Sequence, residues 1–516
     1  MTRKYLILLN MIGIVALVMI DQSVMGIILP PLQRTYEFDP IHMQWAINAY
    51  LVALAAMLMC GGWLGDQLGY FASLRIGVAL FAVASLFCAY APSGDIFIIS
   101  RVFQGAGAAL MQPAATAIIF SAFPKEERGK ALAHYGSAGL LFLATAPLIG
   151  GALVQYSSWR AIFLINIPIA ITVLVLSYFV GERVTKKESV SFDLKGAALF
   201  IVALVVFTVS IQFFGDDRLH PIDALVSAGV LLVICWMLYA RRHKVAHPFI
   251  QFSLFKNKTY LGCCILLFCI PFALLAQLIF GSIFLLNVIE LTPIQTGLSI
   301  LPIVVTITIF AQIGGRLVGK VAFRNLAFGG SMAMATGFVL QALVVKYHNL
   351  WMLFPGMIVM GVGLGFLFST VSTEALTHIS LFARARATAL LQTFRQVGGL
   401  FGVVCIGSLI NWREKTMISE AAAHLKIDDK EREWLQIMLF RSASDQPIAI
   451  AVLHERWPEG LLALKSISSS ALSSGYYLAA FVLLSAALVS LWMFKVHTKA
   501  ETNDASDPST EETEPP

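Results

Sequence analysis

Asp21 is the single carboxylate in an apolar run that extends from Leu6 to Pro30. A charged acid in such a setting is costly unless it is protonated, paired or turned toward water, so Asp21 is a candidate proton carrier; the alternative is a satisfied structural acid. Arg101 opens the fourth apolar run. Its guanidinium could pair with a carboxylate or hold water, and its charge would modulate a neighbouring acid; the alternative is an anchor that snorkels to the interface. Gln104, one turn further in, adds a polar face that an anchor does not need. Arg395, with Gln392 and Gln396, lies inside the thirteenth run. There it could attract an anionic group or make a buried interhelical bond. Gln22, Gln104, Gln112, Gln277, Asn287, Gln392 and Arg395 are the candidate cavity residues, and Glu290 and Glu374 are further acids able to carry protons.

The elements that must position these groups are membrane helices. About fourteen stretches of about 20 apolar residues run from Tyr5 to Lys495, the length that crosses about 30 Å of hydrocarbon. They are rich in Leu, Ile, Val and Phe and lack strand alternation, and only helices or closed barrels satisfy their backbone in lipid. The fold class is therefore all-α and polytopic. At 516 residues, 58% hydrophobic and 13% charged, the chain has too little polar surface for a soluble enzyme domain. No cofactor is expected. Nothing resembles a nucleotide-binding loop, which excludes ATP as the energy source.

Spans are expected from 6–30 for the first to 387–410 and 475–494 for the last two, leaving 411–474 as the largest piece outside the membrane. That piece, with Trp412, Trp434 and Trp457 among charges, could touch a periplasmic adaptor or serve as an interfacial lid. The acidic tail 499–516 is expected to be disordered. Lys and Arg concentrate in alternate loops, most strongly at Arg241, Arg242, Lys244, Lys256 and Lys258, which places both termini in the cytoplasm. This bias accounts for the net charge of +6 without a nucleic-acid partner. All seven cysteines fall within spans, so neither a disulfide framework nor a metal site is expected.

The chain also repeats. Gly61-Gly62-Trp63-Leu64-Gly65-Asp66 closes the second span and Gly314-Gly315-Arg316-Leu317-Val318-Gly319 the tenth; Gly105-Ala106-Gly107 in the fourth matches Gly361-Val362-Gly363 in the twelfth. A parallel repeat of two six-helix bundles is implied: 1–185, then two linking helices with a basic loop in 186–258, then 259–498. Such an arrangement puts a substrate cavity at the midplane between halves. Gly62, Asp66 and Gly69 form a tight turn suited to latch a gate. Gly136, Gly139, Pro147, Gly150 and Gly151 make one face of the fifth helix small and bend it, which suits a pivot or simply tight packing.

Four motifs resemble those of the major facilitator superfamily. Gly62-Trp63-Leu64-Gly65-Asp66-Gln67-Leu68-Gly69 resembles its loop signature, with Tyr70-Phe71 where basic residues are usual. Arg101-Val102-Phe103-Gln104-Gly105-Ala106-Gly107 resembles its fourth-helix motif. Gly136 to Gly151, ending Ala146-Pro147-Leu148-Ile149-Gly150-Gly151, resembles the antiporter motif, with Ala146 in place of glycine. Asp21-Gln22-Ser23-Val24, Leu29-Pro30 and Gln44-Trp45-Ala46-Ile47-Asn48-Ala49-Tyr50 look like the first two spans of the fourteen-span drug:proton antiporters of the EmrB/QacA type, a likeness extended by Thr393 to Gly399. The resemblance implies a major facilitator fold in a cell (inner) membrane, and multidrug efflux by substrate/proton antiport. It also implies proton coupling at Asp21 and Arg101, and gating by Asp66, Gly62, Gly69, Gly139, Pro147, Gly150 and Gly151. The expected partners are a small-molecule substrate, protons and the lipid bilayer. Two other readings stand beside it: a dedicated transporter of a natural metabolite such as a siderophore or lipid-like compound, and a non-transporting membrane sensor or scaffold.

Overall fold

The computed structural model describes residues 3–124, 127–180, 193–212, 221–241, 245, 248–317, 320–377, 379, 384–425 and 460–494. These residues are nearly all helical. We number the helices α1 Arg3–Tyr36, α2 Pro40–Leu68, α3 Tyr70–Ala89, α4 Gly94–Ala122, α5 Arg128–Tyr156, α6 Arg160–Val180, α7 Leu194–Gln212, α8 Pro221–Arg241, α9 Lys258–Asn287, α10 Pro293–Leu317, α11 Phe323–Tyr347, α12 Leu350–Thr377, α13 Arg384–Leu425 and α14 Gly460–Met493. Among the described residues, 13 helices are long and apolar enough to cross a membrane. The other, α8, has an apolar stretch from Val226 to Arg241, about 24 Å at 1.5 Å per residue.

Helix pairings recur eight helices further along: α2 with α4 and α10 with α12, α3 with α4 and α11 with α12, α1 with α5 and α9 with α13. The matched glycines sit at these crossings. Gly105 lies against the Tyr50 backbone of α2, and Gly361 against Ile303 and Thr306 of α10; Gly107 faces Gly77 of α3, and Gly363 faces Gly330 of α11. Small residues let helix backbones approach closely where lipid supplies no hydrophobic drive. α1 is the most buried of these spans, whereas α7 and α6 are the least buried. Large apolar side chains stand on the outer surface, among them Phe179, Leu232, Trp351 and Trp492, an apolar exterior fit for lipid.

Two sequence-based boundaries move. The thirteenth span does not stop at 410, nor does the last begin at 475: α13 continues to Leu425 and α14 starts at Gly460. Two of the polar residues that depress the hydropathy of this stretch satisfy each other, since Ser468 Oγ donates to Glu414 Oε1 at 3.0 Å and both are buried. Trp412 is on α13, while Trp434, Trp457 and the tail after Lys499 lie outside the described residues.

Asp193 ties the linking helices together. It caps α7 through the Gly196 N–H at 2.9 Å, accepts from the Phe249 N–H at 3.2 Å, and pairs with Arg241 of α8 at 2.5 Å. Burial alone would raise its carboxyl, but the Arg241 guanidinium and the two backbone donors outweigh burial and hold it below the usual carboxylate range. α7 packs on α2 and α13, with Phe207 stacked on Phe401 at 3.6 Å between ring centres.

Candidate functional site

Asp21 and Arg101 meet in the interior, each only 1% exposed. Arg101 Nη1 donates to Asp21 Oδ2 at 2.5 Å and to Gln104 Oε1 at 2.6 Å, while its Nε reaches the Ala46 carbonyl at 3.3 Å. Gln104 Nε2 donates to the other carboxylate oxygen at 2.7 Å and to Ser85 Oγ at 3.0 Å. Asn166 donates to the same hydroxyl at 3.3 Å, and the Arg101 guanidinium lies 4.5 Å from the centre of the Tyr50 ring. Five helices, α1, α2, α3, α4 and α6, thus contribute to one polar cluster. The one-turn spacing of Arg101 and Gln104 on α4 lets both grip the same carboxylate. A pair this dry needs its remaining lone pairs satisfied, which Gln104 accomplishes. The snorkelling alternative for Arg101 fails on its burial; Arg160, by contrast, rests on Trp159 at 4.4 Å, as an interface anchor does.

The residue after Asp21 faces the other way. Gln22 Nε2 donates to Gln396 Oε1 on α13 at 3.1 Å, and Gln396 Nε2 donates to Gln112 Oε1 on α4 at 3.3 Å. Gln396, rather than Gln392, therefore closes a bridge from α13 to α1 and α4; Gln392, one turn earlier, has a buried oxygen without a hydrogen-bond partner. Arg395 is half-buried and has neither a hydrogen bond nor an ion pair among the described residues; its charge faces Tyr135 of α5. Gln277 sits at a π-helical turn of α9 and donates to Gln341 of α11 at 3.0 Å. Asn287 faces a cleft bounded by α1, α2, α9, α13 and α14. Glu290 pairs with Lys465 at 2.9 Å at the surface.

The glycines of α5 divide between two neighbours. Gly139 packs on Val15 and Gly150 on Val24, both of α1, and Ala146 fills a niche against Ala16 and Ile20. Gly151 abuts the Pro293 carbonyl of α10, and Gly297 of α10 in turn abuts Pro147 and Leu148. The two helices cross with a glycine on each side, where any side chain would force them apart.

Three kinds of comparison bear on this arrangement. The Major Facilitator Superfamily profile matches residues 11–403. The chain belongs to that superfamily. It is 27% identical over 399 residues to the drug efflux pump JefA of Mycobacterium tuberculosis, covering 76% of this chain and 78% of that one. It is 26% identical over 420 residues to the multidrug resistance protein Stp of the same organism, covering 81% and 78%. The riboflavin transporter RibZ of Clostridioides difficile is 26% identical over 412 residues, covering 79% and 88%. Among solved structures, the inward-facing bacterial homologue of the human lysosomal transporter Spinster superposes with a TM-score of 0.64 at 16% identity, covering 95% of this chain and 97% of that one. The chain is thus a multi-pass membrane transporter and not an enzyme.

Against the superfamily pattern, the loop after α2 departs in an informative way. Gly69 adopts φ 90°, a conformation that residues with a Cβ rarely enter, so the turn between α2 and α3 requires it. Gly62 has open space beside it and meets only Pro113 at ordinary contact distance. Asp66 accepts from Tyr70 Oη at 2.6 Å and has no partner on α9–α14 among the described residues. Arg75 is held at Ser177, 2.6 Å from its carbonyl, and lies over Tyr178. Tyr70 thus occupies Asp66 within its own half of this transporter. Sequence reasoning missed Ser85, Asn166 and Tyr50, since one Ser, Asn or Tyr in a helix carries no signal of its own.

Proposed function

We propose that this transporter exports amphipathic drugs or toxic compounds by substrate/proton antiport with alternating access, the halves 1–185 and 259–498 rocking about the α1–α5–α10 contact. Both termini are cytoplasmic in this reading, and the membrane is the inner one. The observation that carries it is the adjacency of Asp21 and Gln22: one residue belongs to a closed ionic cluster in the first half, the next to a bridge into the second. Protonation of Asp21 removes the charge that holds Arg101 and Gln104. Release of those two then changes the setting of α1 and, through Gln22, of α13. Coupling needs only that protonation and substrate favour different states. The relatives named as a drug efflux pump and a multidrug resistance protein support export, and the glycine-lined α5–α10 crossing supports a pivot there.

RibZ, a riboflavin transporter, favours a second reading, in which one natural metabolite is carried. Substrate-triggered proton movement in proteoliposomes, compared between wild type and Asp21→Asn across lipophilic cations, siderophores and detergents, tests both. Several compounds driving proton flux that the variant abolishes support multidrug antiport. A single active compound supports the dedicated transporter, and flux that survives Asp21→Asn removes Asp21 from the mechanism.

A further inference from the structure

Besides Asp193, which pairs with Arg241, a second buried carboxylate among the described residues lies apart from the Asp21 cluster. Glu414 of α13 is 8% exposed, accepts from Ser468 Oγ at 3.0 Å, and has no ion-pair partner among the described residues. It opens on the cleft bounded by α1, α2, α9, α13 and α14. Gln44, Asn48 and Asn287 also line this cleft, and the Asn48 amide oxygen is buried without a hydrogen-bond partner. Phe280 and Phe284 supply aromatic surface, and among the described residues no Lys, Arg or His is part of the lining. Among the described residues no group of three His, Cys, Asp or Glu side chains could hold a metal ion. The wall described therefore offers one carboxylate, an amide acceptor without a partner and aromatic rings, and no cationic side chain. An organic ammonium group is complementary to that set, through charge-assisted hydrogen bonds and ring faces; an anion is not.

We propose that this cleft is a subsite for the protonated amine of an amphipathic substrate, with Glu414 as its counter-charge and Asn48 as its second acceptor. The proposal rests on the export reading above and adds the charge class that one subsite selects. It separates substrate recognition from proton coupling. Leu29 of α1 lines the cleft about two helical turns, roughly 12 Å, beyond Asp21, and Asp21 is already committed to Arg101.

The test is equilibrium binding of a fluorescent lipophilic amine and of its uncharged N-acetyl analogue to the purified full chain, as wild type, Glu414→Gln and Glu414→Asp, with melting temperatures recorded for each. Glu414→Gln is expected to weaken the amine by about tenfold or more, the loss of one charged hydrogen bond, and to leave the analogue within about twofold. Glu414→Asp is expected to keep most of the affinity for the amine. Equal amine binding by wild type and Glu414→Gln, equal losses for both probes, or no binding of the amine to wild type overturns the proposal. Proton flux measured in parallel separates the two levels of inference. Charge-selective binding without substrate-linked flux upholds the subsite and refutes antiport, whereas flux with amine binding unaltered in Glu414→Gln refutes the subsite alone.

Discussion

Removing one charge of the Asp21–Arg101 pair, and then both, measures how far the pair acts as a unit. Loss of one partner from a buried ion pair costs about 3–5 kcal/mol, because the survivor is left uncompensated. For Asp21→Asn the lower end, about 3 kcal/mol, is expected: Gln104 Oε1 and the Ala46 carbonyl still receive the guanidinium, and the Tyr50 ring still faces it. That guanidinium cannot shed its proton, whereas the carboxylate left by Arg101→Met can take one up. Asp21→Asn is therefore expected to be the more damaging single change, and Arg101→Met, whose survivor can neutralise itself, to fall below that range. Asp21→Asn/Arg101→Met removes both charges and is expected to recover about 2 kcal/mol relative to additivity. Thermal unfolding in detergent with a thiol-reactive dye suits the assay, because Cys88 is buried 3.7 Å from Gln104 Oε1 and becomes reactive when the cluster opens. A double variant whose destabilisation equals the sum of the singles would show that the charges do not interact, contrary to their contact. Proton coupling is expected to be lost in all three proteins, so recovered stability without recovered flux distinguishes folding from function.

Gly151→Leu is expected to push α10 away at Pro293 and to abolish transport while leaving the protein folded; cysteine cross-linking of α5 to α10 reads the separation, and unchanged transport contradicts a pivot at this crossing. Gln396→Leu breaks the bridge to Gln22 and Gln112 and is expected to reduce transport about tenfold with a stability loss near 1 kcal/mol, measured by flux and melting. The Asp193–Arg241 pair has a pH signature. Its folded carboxyl lies below the usual range, so its stabilisation is present above about pH 4 and fades as pH falls through the folded value; the gap in melting temperature between wild type and Asp193→Asn is expected to close on acidification from pH 7 to pH 3. Gly69→Ala is expected to cost about 1 kcal/mol or more through the positive φ, read as a lower melting temperature, and Gly62→Ala to cost little.

Much of this was legible in the residues because membrane helices leave few alternatives. A lone acid at Asp21 and a cation with a glutamine one turn on, at Arg101 and Gln104, had to find partners in a medium that supplies none, and they found each other. The Gly105–Gly107 and Gly361–Gly363 correspondence was equally readable, since a close helix crossing demands small residues. Three things were not. Glu414 sits among polar residues, and hydropathy cannot distinguish a loop from a helix whose Ser468 and Glu414 satisfy one another. Gln392 and Gln396 share one face of α13, and only the height of that helix against α1 decides which reaches Gln22. The contribution of Ser85 and Asn166 depends on how α3 and α6 pack, which no local pattern encodes.

In the proposed cycle, the placement of the ionic cluster and the neutral bridges at different points along α1 lets one helix serve two states. Among the described residues Asp21 is tied to α4 and through Gln104 to α3. Gln22 is tied to α13, Gly26 packs on the Ile279 backbone of α9, and Leu29 reaches the Glu414 cleft. About two turns of α1 therefore join the ionic cluster to contacts that, in the proposed cycle, break when the halves rock. Neutral glutamine bridges suit such a joint, because each is worth about 1 kcal/mol, enough to bias a state and too little to trap it. The ionic cluster, which costs several times more to disrupt, lies among α1, α2, α3, α4 and α6, so in the proposed cycle rocking leaves it unstrained and protonation opens it. Had Asp21 paired across the halves instead, every transport cycle would have to break a buried ion pair, and the proton would carry the cost of opening rather than the choice of state.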